Sequence, residues 1–346
     1  MKRYLIKIST SALLILLSLS ANALVVLQYH HIDEGTPAST SVTPAQFIEH
    51  MILIDELGLE VVDLETAART ILNSSDGLSE SNKQVAISFD DAYYSIMKYA
   101  FPELQRRNWP FTIFVNTLAV NEKNRGIMSW SQIKQLVDAG VTIANHTVSH
   151  SHLPSIPKDM SVKQWLDQEV LSAQNELDQR LGKQANMLAY PYGEFTLEMV
   201  TWLQARNMIA FGQQSGPIGK FSHPQALPRF PASGIYANSK TLKTKLMSLA
   251  LPVSSGQLKD PMISTQENPP LLSIQLIEAD YSADQLQCFA SQQGAIKTRI
   301  SHTESGVLLT TQATNKLTGK RGRYNCTVSS SQLGRYYWYS QPWQMH

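Results

Sequence analysis

From residue 24 to about residue 231, short apolar runs alternate with longer segments in which apolar residues recur at helical spacing. The runs at 24–30, 59–64, 85–90, 111–115, 141–145, 187–190 and 208–211 are too brief and too rich in β-branched and aromatic residues for helices, so they predict buried strands. The alternation predicts an α/β fold with about seven parallel strands. Closure of that sheet gives a (β/α) barrel, and an open doubly wound sheet is the alternative.

Capping patterns place several of the helices between these strands. Thr43-Pro44-Ala45-Gln46 predicts a helix start with a capping box and proline at the first helical position. Ser129 and Gln132 predict a second box, and apolar spacing predicts one long helix over residues 161–181. In the first helix His50 falls on the polar side, so we expect His50 to lie on the surface, as we do His152.

The pattern changes after residue 250. Residues 251–270 are rich in Pro and Ser and include Gly256, a mix typical of a linker. The alternating runs at 272–277, 295–300 and 307–311 predict antiparallel strands of a small C-terminal all-β domain, residues 271–346. Aromatic residues at 336–339 and Trp343 close the chain; they suit the core of that domain, with a carbohydrate-binding role as the alternative.

The N-terminus has the features of an export signal. Three basic residues precede the apolar run at 12–17, and Ala21-Asn22-Ala23 resembles a cleavage site, so residues 1–23 predict a signal peptide. The expected mature chain is periplasmic or secreted and has no membrane span. Its first domain is expected to comprise residues 24–250. Without the three leader cations, 26 of the 29 basic residues remain against 28 acidic ones, which argues against a nucleic-acid partner. In an exported protein the two cysteines, Cys288 and Cys326, are expected to form a disulfide.

Polar residues suited to chemistry follow three of the predicted strands. Asp90 and Asp91 end one strand, and two adjacent carboxylates beside an apolar strand are costly unless a proton or metal neutralises one of them. His146 and His150 follow another strand at a spacing that allows both imidazoles to bind one ion. The turn Pro191-Tyr192-Gly193 follows a third. Active sites of α/β barrels form at the carboxyl ends of the strands, so these residues predict a hydrolytic metal site.

These segments carry a family resemblance. Phe89-Asp90-Asp91, the segment 146–150 and Tyr190-Pro191-Tyr192-Gly193 resemble, in order, the motifs of the polysaccharide deacetylases, the NodB-like enzymes of carbohydrate esterase family 4. The resemblance covers residues 25 to 231 and implies a distorted barrel with fewer than eight complete units. It further implies one divalent metal ion, zinc favoured over cobalt or nickel, with Asp90 as the base. The implied metal ligands are Asp91, His146 and His150, and the Pro191–Gly193 turn would donate the backbone N–H of Tyr192 to the oxyanion.

Two departures from the usual family pattern concern the acid and the orientation of the base. The usual late histidine motif is not matched by His223, whereas Tyr29-His30-His31 resembles a permuted branch that deacetylates poly-β-1,6-N-acetylglucosamine. That likeness implies His30 as the general acid, with His31 as the alternative. The usual Arg before the Pro turn is replaced by Ala189-Tyr190. Arg229, at another strand end, is a candidate to orient Asp90, and an ordinary surface salt bridge is its alternative role.

The sequence therefore predicts an exported polysaccharide N-deacetylase, a hydrolase acting on carbon–nitrogen bonds other than peptide bonds. A poly-N-acetylglucosamine exopolymer, as in biofilm matrices, is the favoured substrate; chitin oligomers and peptidoglycan are alternatives. A non-catalytic polysaccharide-binding protein and a structural matrix protein are the competing classes, and protein partners are not indicated.

Overall fold

A computed structural model describes residues 23–74, 83–254, 258–303 and 306–345. Apart from Ala23, the predicted signal peptide lies outside the described residues. Among the helices in these ranges, none combines the length and apolar character needed to span a bilayer.

Strands occur throughout the described chain and are numbered here in sequence order. They are β1 (Leu24–Tyr29), β2 (His31–Ile32), β3 (Ser41–Val42), β4 (Glu60–Val61), β5 (Gln84–Asp90), β6 (Thr112–Val115), β7 (Thr142–Asn145), β8 (Met187–Ala189), β9 (Ile209–Phe211), β10 (Phe230–Pro231), β11 (Leu249–Ala250), β12 (Met262–Ile263), β13 (Leu271–Leu276), β14 (Gln287–Ala290), β15 (Gly294–Ile296), β16 (Thr298–Thr303), β17 (Gly306–Gln312), β18 (Arg321–Ser329) and β19 (Tyr336–Met345).

Within the described ranges, helices lie in the first 250 residues, apart from one short 3₁₀ turn at Ala283–Gln285. The α-helices are α1 (Pro44–Glu56), α2 (Leu64–Leu72), α3 (Phe101–Arg106), α4 (Thr117–Asn121), α5 (Trp130–Asp138), α6 (Val162–Leu166), α7 (Ser172–Leu181), α8 (Leu197–Gln204) and α9 (Ser239–Leu246). A π-helical turn, Asp167–Leu171, joins α6 to α7 into the predicted long helix, and another, Ile96–Ala100, precedes α3. Shorter 3₁₀ turns span Pro191–Gly193 and Gly234–Tyr236.

The first part of the chain forms the predicted parallel sheet. Its strands run in the order β10-β1-β5-β6-β7-β8-β9, with β4 also paired to β5, and every pair is parallel. Leu227 bridges Phe211 of β9 just before the chain enters β10 beside β1, so the segment 227–231 links the two edges of the sheet. The result is a distorted (β/α) barrel, which confirms the predicted fold class.

The predicted helix starts are correct in detail. Thr43 Oγ1 accepts a hydrogen bond from Gln46 N (3.1 Å), and Gln46 Oε1 accepts one from Thr43 N (3.0 Å). Ser129 and Gln132 form the same reciprocal box at the start of α5. These caps satisfy N–H groups that the first helical turn leaves without partners.

The C-terminal part is all β, as predicted. A six-stranded sheet has the order β11-β19-β18-β14-β15 with β12 beside β19, and it shares an apolar core with the antiparallel sheet β13-β17-β16. Cys288 and Cys326 face each other across β14 and β18 and are joined by a disulfide. The segment predicted as a linker is built into this unit, because β12 lies within residues 251–270 and β11 directly precedes them.

The two parts pack directly against each other. Trp338 of β19 meets Phe230 of β10 edge to face, with ring centroids 5.2 Å apart. Arg323 Nη2 donates to the Tyr236 hydroxyl (2.8 Å), and Ala23 lies in the core of the β domain. Most of the predicted aromatic cluster therefore serves packing: Tyr337 and Trp343 are buried in the same core.

One prediction about the fold is wrong. His50 is fully buried rather than on the surface. Its Nδ1 bonds the hydroxyl of Tyr29 (3.0 Å) and its Nε2 bonds the carbonyl oxygen of Ala237 (2.8 Å). Burial lowers the pKa of His50, and the hydrogen bond to Ala237 acts in the opposite direction. The segment before α9, distant in sequence, covers the helix face that looked polar. His152, by contrast, keeps 41% of its side chain exposed.

Candidate active site

Alternation along the strands delivers the site residues to one end of the barrel. Leu24, Val26, Ala86, Phe114 and Ala144 form the core inside the sheet, while their sequence neighbours pack against the outer helices. With a period of two, the same inner face continues at the strand ends into Gln28, Asp90, Asn116 and His146. All four are buried, so the carboxyl end of the barrel holds a polar cluster beneath a polar rim.

Asp90 and Arg229 form a buried ion pair at the centre of this cluster. Arg229 donates from Nη1 to Asp90 Oδ1 (2.6 Å) and from Nη2 to Oδ2 (2.8 Å), and both side chains are 0% exposed. Gln28 Nε2 donates a further bond to Oδ2 (2.6 Å). Burial alone would raise the pKa of Asp90, but Arg229 and the neighbouring histidines outweigh it and hold that pKa well below its ordinary value. Arg229 therefore lies where a base-orienting residue would, not in a surface salt bridge.

Asp91, His146 and His150 gather beside this pair. Asp91 Oδ1 is 4.0 Å from Nε2 of both histidines, and the three ligand atoms lie within 4.8 Å of one another. His146 Nδ1 donates to the carbonyl of Ala189 (2.7 Å), which leaves Nε2 with a lone pair, and that buried Nε2 has no hydrogen-bond partner. Burial also lowers the pKa of His146, which favours the neutral ring that a metal needs. These donors fit a divalent ion.

Two of the candidate ligands and two of their neighbours are held in unusual backbone conformations. Asp91, Thr147, His150 and Tyr192 all have positive φ, at 61°, 70°, 57° and 60°. Such residues other than glycine are strained and persist only where surrounding contacts impose them, commonly at functional sites. Here Asn116 Nδ2 bonds Asp91 Oδ1 (2.5 Å), and His150 N bonds Thr147 Oγ1 (3.0 Å). The segment after β7 is thus a folded loop that turns both imidazoles toward Asp91.

The two candidate acids, His30 and His31, lie in different surroundings. His30 Nε2 lies 4.0 Å from Asp90 Oδ2, and 19% of the His30 side chain is exposed. His31 stacks on Tyr93 instead, with ring centroids 3.5 Å apart. Burial lowers the pKa of His30, and the carboxylates of Asp90 and Asp91 oppose that shift. His30 is therefore the histidine that faces Asp90 from an accessible position.

The Pro191–Gly193 turn forms the opposite rim. The Tyr192 ring lies edge to face on His150 (4.7 Å between centroids) and is stacked on His152 (4.0 Å). A Cβ at Gly193 would lie 2.6 Å from Gln213 N, so the turn approaches the chain after β9 too closely for any other residue. The backbone of Tyr192 is consequently held next to the metal ligands.

Several residues of the site were not predicted. Gln28 and Asn116 were missed, although a glutamine inside an apolar strand and a polar residue directly after one were available signals. Glu194, buried after the turn, accepts from His152 Nδ1 (2.7 Å) and lies 3.6 Å from Arg321 Nε. Arg321 belongs to the β domain, and no local pattern in the sequence connects it to this turn.

Comparison with known proteins agrees with the motifs. Residues 78–209 match the family profile described as polysaccharide deacetylase. YxkH of Bacillus subtilis (strain 168), which carries a provisional polysaccharide deacetylase name, is 25% identical over 173 residues, covering 50% of this chain and 58% of that protein. The chain thus spans little more than half the length of this curated relative.

Two solved structures share the fold. The Streptococcus pyogenes deacetylase PplD in complex with acetate aligns with TM-score 0.58 and 19% identity over 66% of this chain and 99% of that one. IcaB from Ammonifex degensii aligns with TM-score 0.56 and 23% identity over 65% and 98%. These matches show that the barrel fold is shared, and the profile marks residues 78–209 as similar to polysaccharide deacetylases.

The buried ion pair gives a stability prediction. Arg229→Met leaves the Asp90 carboxylate buried without its cation, which costs about 3–5 kcal/mol. For a domain of this size we expect the melting temperature to fall by roughly 10 °C.

The double variant Arg229→Met/Asp90→Asn removes the unpaired charge and should recover much of that loss in thermal melts of the metal-free protein. Arg106→Met, which breaks an exposed pair with Glu103, is the control and should change little. Equal melting temperatures for Arg229→Met and Arg106→Met would contradict the prediction.

The cluster of ligands gives a binding prediction. Calorimetric titration of zinc into chelator-treated protein should show one ion per chain. Asp91→Ala, His146→Ala and His150→Ala each remove a ligand and should weaken binding by at least about a hundredfold. The exposed His302 serves as the control in His302→Ala. Full-strength binding by any two of the three ligand variants would show that the ion lies elsewhere.

Proposed function

We propose that this protein is a metal-dependent hydrolase that removes acetyl groups from N-acetylated amino sugars in a polysaccharide. One observation carries the proposal: a buried carboxylate, Asp90, lies beside three ligand side chains but is paired with Arg229 rather than with them. A protein that only binds glycans has no need of a separate ionised base next to a metal site. The family profile covers Asp90, Asp91, His146 and His150.

The ligand set would hold a divalent ion, with zinc favoured over cobalt or nickel. Such an ion supplies Lewis acidity and lowers the pKa of a bound water to about 7. This chain's contribution is to present Asp91, His146 and His150 already fixed by Asn116 and the Ala189 carbonyl.

Asp90 is assigned the general base. It must be ionised to accept a proton from the attacking water, and Arg229 keeps it so by lowering its pKa. The same interaction makes Asp90 a weak base, which suffices only for a water that is already acidified. Gln28 and Arg229 fix both carboxylate oxygens, so the base is oriented before substrate arrives.

His30 is assigned the general acid that protonates the departing amine. It faces Asp90 from the rim and is reachable from solvent, whereas His31 is stacked away on Tyr93. The backbone N–H of Tyr192, on the opposite rim, is assigned to stabilise the oxyanion. Pro191 and Gly193 shape that turn.

The polymer favoured is poly-β-1,6-N-acetylglucosamine or a related biofilm exopolymer, because His30 follows β1 as in the permuted branch of the family. Chitin oligomers and peptidoglycan remain the alternative substrates. Export through a signal peptide at residues 1–23, to the periplasm or outside the cell, belongs to the same proposal. The Cys288–Cys326 disulfide supports it, since disulfides persist in oxidising compartments.

Acetate release tests the chemistry. Zinc-restored wild type should release acetate from β-1,6-linked N-acetylglucosamine oligomers, measured by a coupled acetate assay, and chelation should abolish the release. Asp90→Asn keeps the ligands but removes the base, so we expect kcat to fall at least about a hundredfold with zinc still bound. Parallel assays on chitin and peptidoglycan fragments distinguish the alternative substrates. If the wild type releases acetate from none of the three substrates yet binds one of them, the chain is a glycan-binding protein on this fold.

The assignment of the acid has its own test. His30→Ala should retain zinc binding but lose turnover by about a hundredfold or more, because the amine would leave unprotonated. His31→Ala, which loses only a stacking contact, is the matched control and should retain most activity. Unchanged turnover in His30→Ala would refute the assignment.

A further inference from the structure

A cavity of about 220 Å³ lies where the β domain meets the rim of the barrel. One wall is the barrel rim, with Tyr192, Gly193 and Gln213, and the other is the end of the β18–β19 pair. Arg321 lies opposite Gln344 in the strand register, and Arg323 lies opposite Pro342. Side chains directly opposite share a face, and this face looks toward the barrel.

Gln344 is the unusual residue of this wall. It is 2% exposed, and neither its Nε2 nor its Oε1 has a hydrogen-bond partner. Trp343 lies opposite Gly322, on the other face of β19, and its ring packs against Tyr324 in the core of the β domain, so its unpaired Nε1 is directed away from this wall. Buried polar groups are normally paired, and an unpaired amide destabilises the fold unless something else offsets the cost. The wall thus presents donors and an acceptor that the protein itself does not satisfy.

Tyr192 connects the cavity to the candidate metal ligands. Tyr192 lines it and also contacts His150 at 4.7 Å between ring centroids. Arg321 Nη1 donates to the carbonyl oxygen of Tyr192 (3.0 Å), so the β domain is bonded to the same turn. A polymer with one residue at the metal would therefore meet the cavity with a neighbouring residue.

The charges of the cavity favour a neutral ligand. Arg321 already donates to the carbonyl oxygen of Tyr192 and lies beside the carboxylate of Glu194. Arg323 donates to the Tyr236 hydroxyl (2.8 Å). The group left unsatisfied on this face is the Gln344 amide, which suits hydroxyl and acetamido groups. The volume is below the roughly 300 Å³ at which sites for drug-sized ligands begin, and it suits one sugar ring.

We propose that this cavity is a glycan subsite, in which Gln344 hydrogen-bonds an N-acetylated sugar residue adjacent to the one being deacetylated. The proposal rests on the deacetylase function above and assigns the β domain a part in substrate recognition. Gln344 is a specificity residue here, because it touches the polymer but not the reacting atoms.

Chain-length kinetics test the subsite. With zinc-loaded protein and β-1,6- and β-1,4-linked oligomers from dimer to hexamer, Gln344→Leu should raise KM about tenfold on the longer oligomers, as expected for the loss of amide hydrogen bonds. The effect should grow with chain length and act on KM more than on kcat. Because leucine fills the site without an unpaired amide, the melting temperature should stay the same or rise.

The control is Thr311→Val, which removes another buried polar group of the β domain (2% exposed), in the three-stranded sheet rather than the sheet that lines the cavity. It should keep the wild-type KM at every length. A lower melting temperature for Gln344→Leu with unchanged KM would mean that the amide only serves the fold, and would overturn the proposal. An equal rise in KM for both variants would overturn it too.

Calorimetry with the metal-free protein separates the two proposals. If the wild type releases no acetate but binds the pentamer, and Gln344→Leu binds it about tenfold more weakly, the subsite stands and the deacetylase function fails. If acetate is released but KM is the same in wild type and Gln344→Leu at all lengths, the function stands and the subsite fails. No binding and no turnover would reject both.

Discussion

The buried pair of Asp90 and Arg229 is the interaction on which the rest of the site depends. Neither side chain reaches solvent, and neither charge could be buried at that depth alone. The two residues are 139 positions apart, at the end of β5 and directly before β10. Since β10 lies beside β1, Arg229 reaches Asp90 only when the last part of the barrel has folded against the first. Closure of the barrel and formation of this ion pair are therefore one event.

The same pair distinguishes two adjacent carboxylates. Asp90 faces the barrel interior, where a guanidinium and an amide occupy both of its oxygens. Asp91 has positive φ, so its side chain leaves the strand alternation and meets His146, His150 and Asn116 instead. One carboxylate is thus fixed as an isolated anion and the other is available to a cation. A single reversal of the backbone gives the two adjacent carboxylates different surroundings, which allows neighbouring acids to take different roles.

The parts of this arrangement that the sequence predicted are the local ones. Strand alternation and the motifs at strand ends identified the parallel sheet and the cluster of Asp90, Asp91, His146 and His150, because each signal lies within a few residues. The sequence left two roles open for Arg229. Its pairing with Asp90 depends on β10 lying beside β1, and no local pattern indicates that neighbour. His50 was misplaced for a related reason: the carbonyl that covers it is 187 residues away. In the β domain the sequence did not predict β18 and β19, although β18 alternates, with Tyr324, Cys326 and Val328 buried.

The contact between Arg321 and the Tyr192 turn argues that the two domains act as one unit. Tyr192 has a strained backbone, and strain persists only where surrounding contacts impose it. Its ring is held between two histidines, and its carbonyl oxygen is held by a guanidinium from the second domain. Glu194 ties that guanidinium to His152, so the rim of the barrel is braced from both sides. A turn assigned to stabilise an oxyanion must be fixed to within a fraction of an ångström, and here part of that constraint comes from outside the barrel.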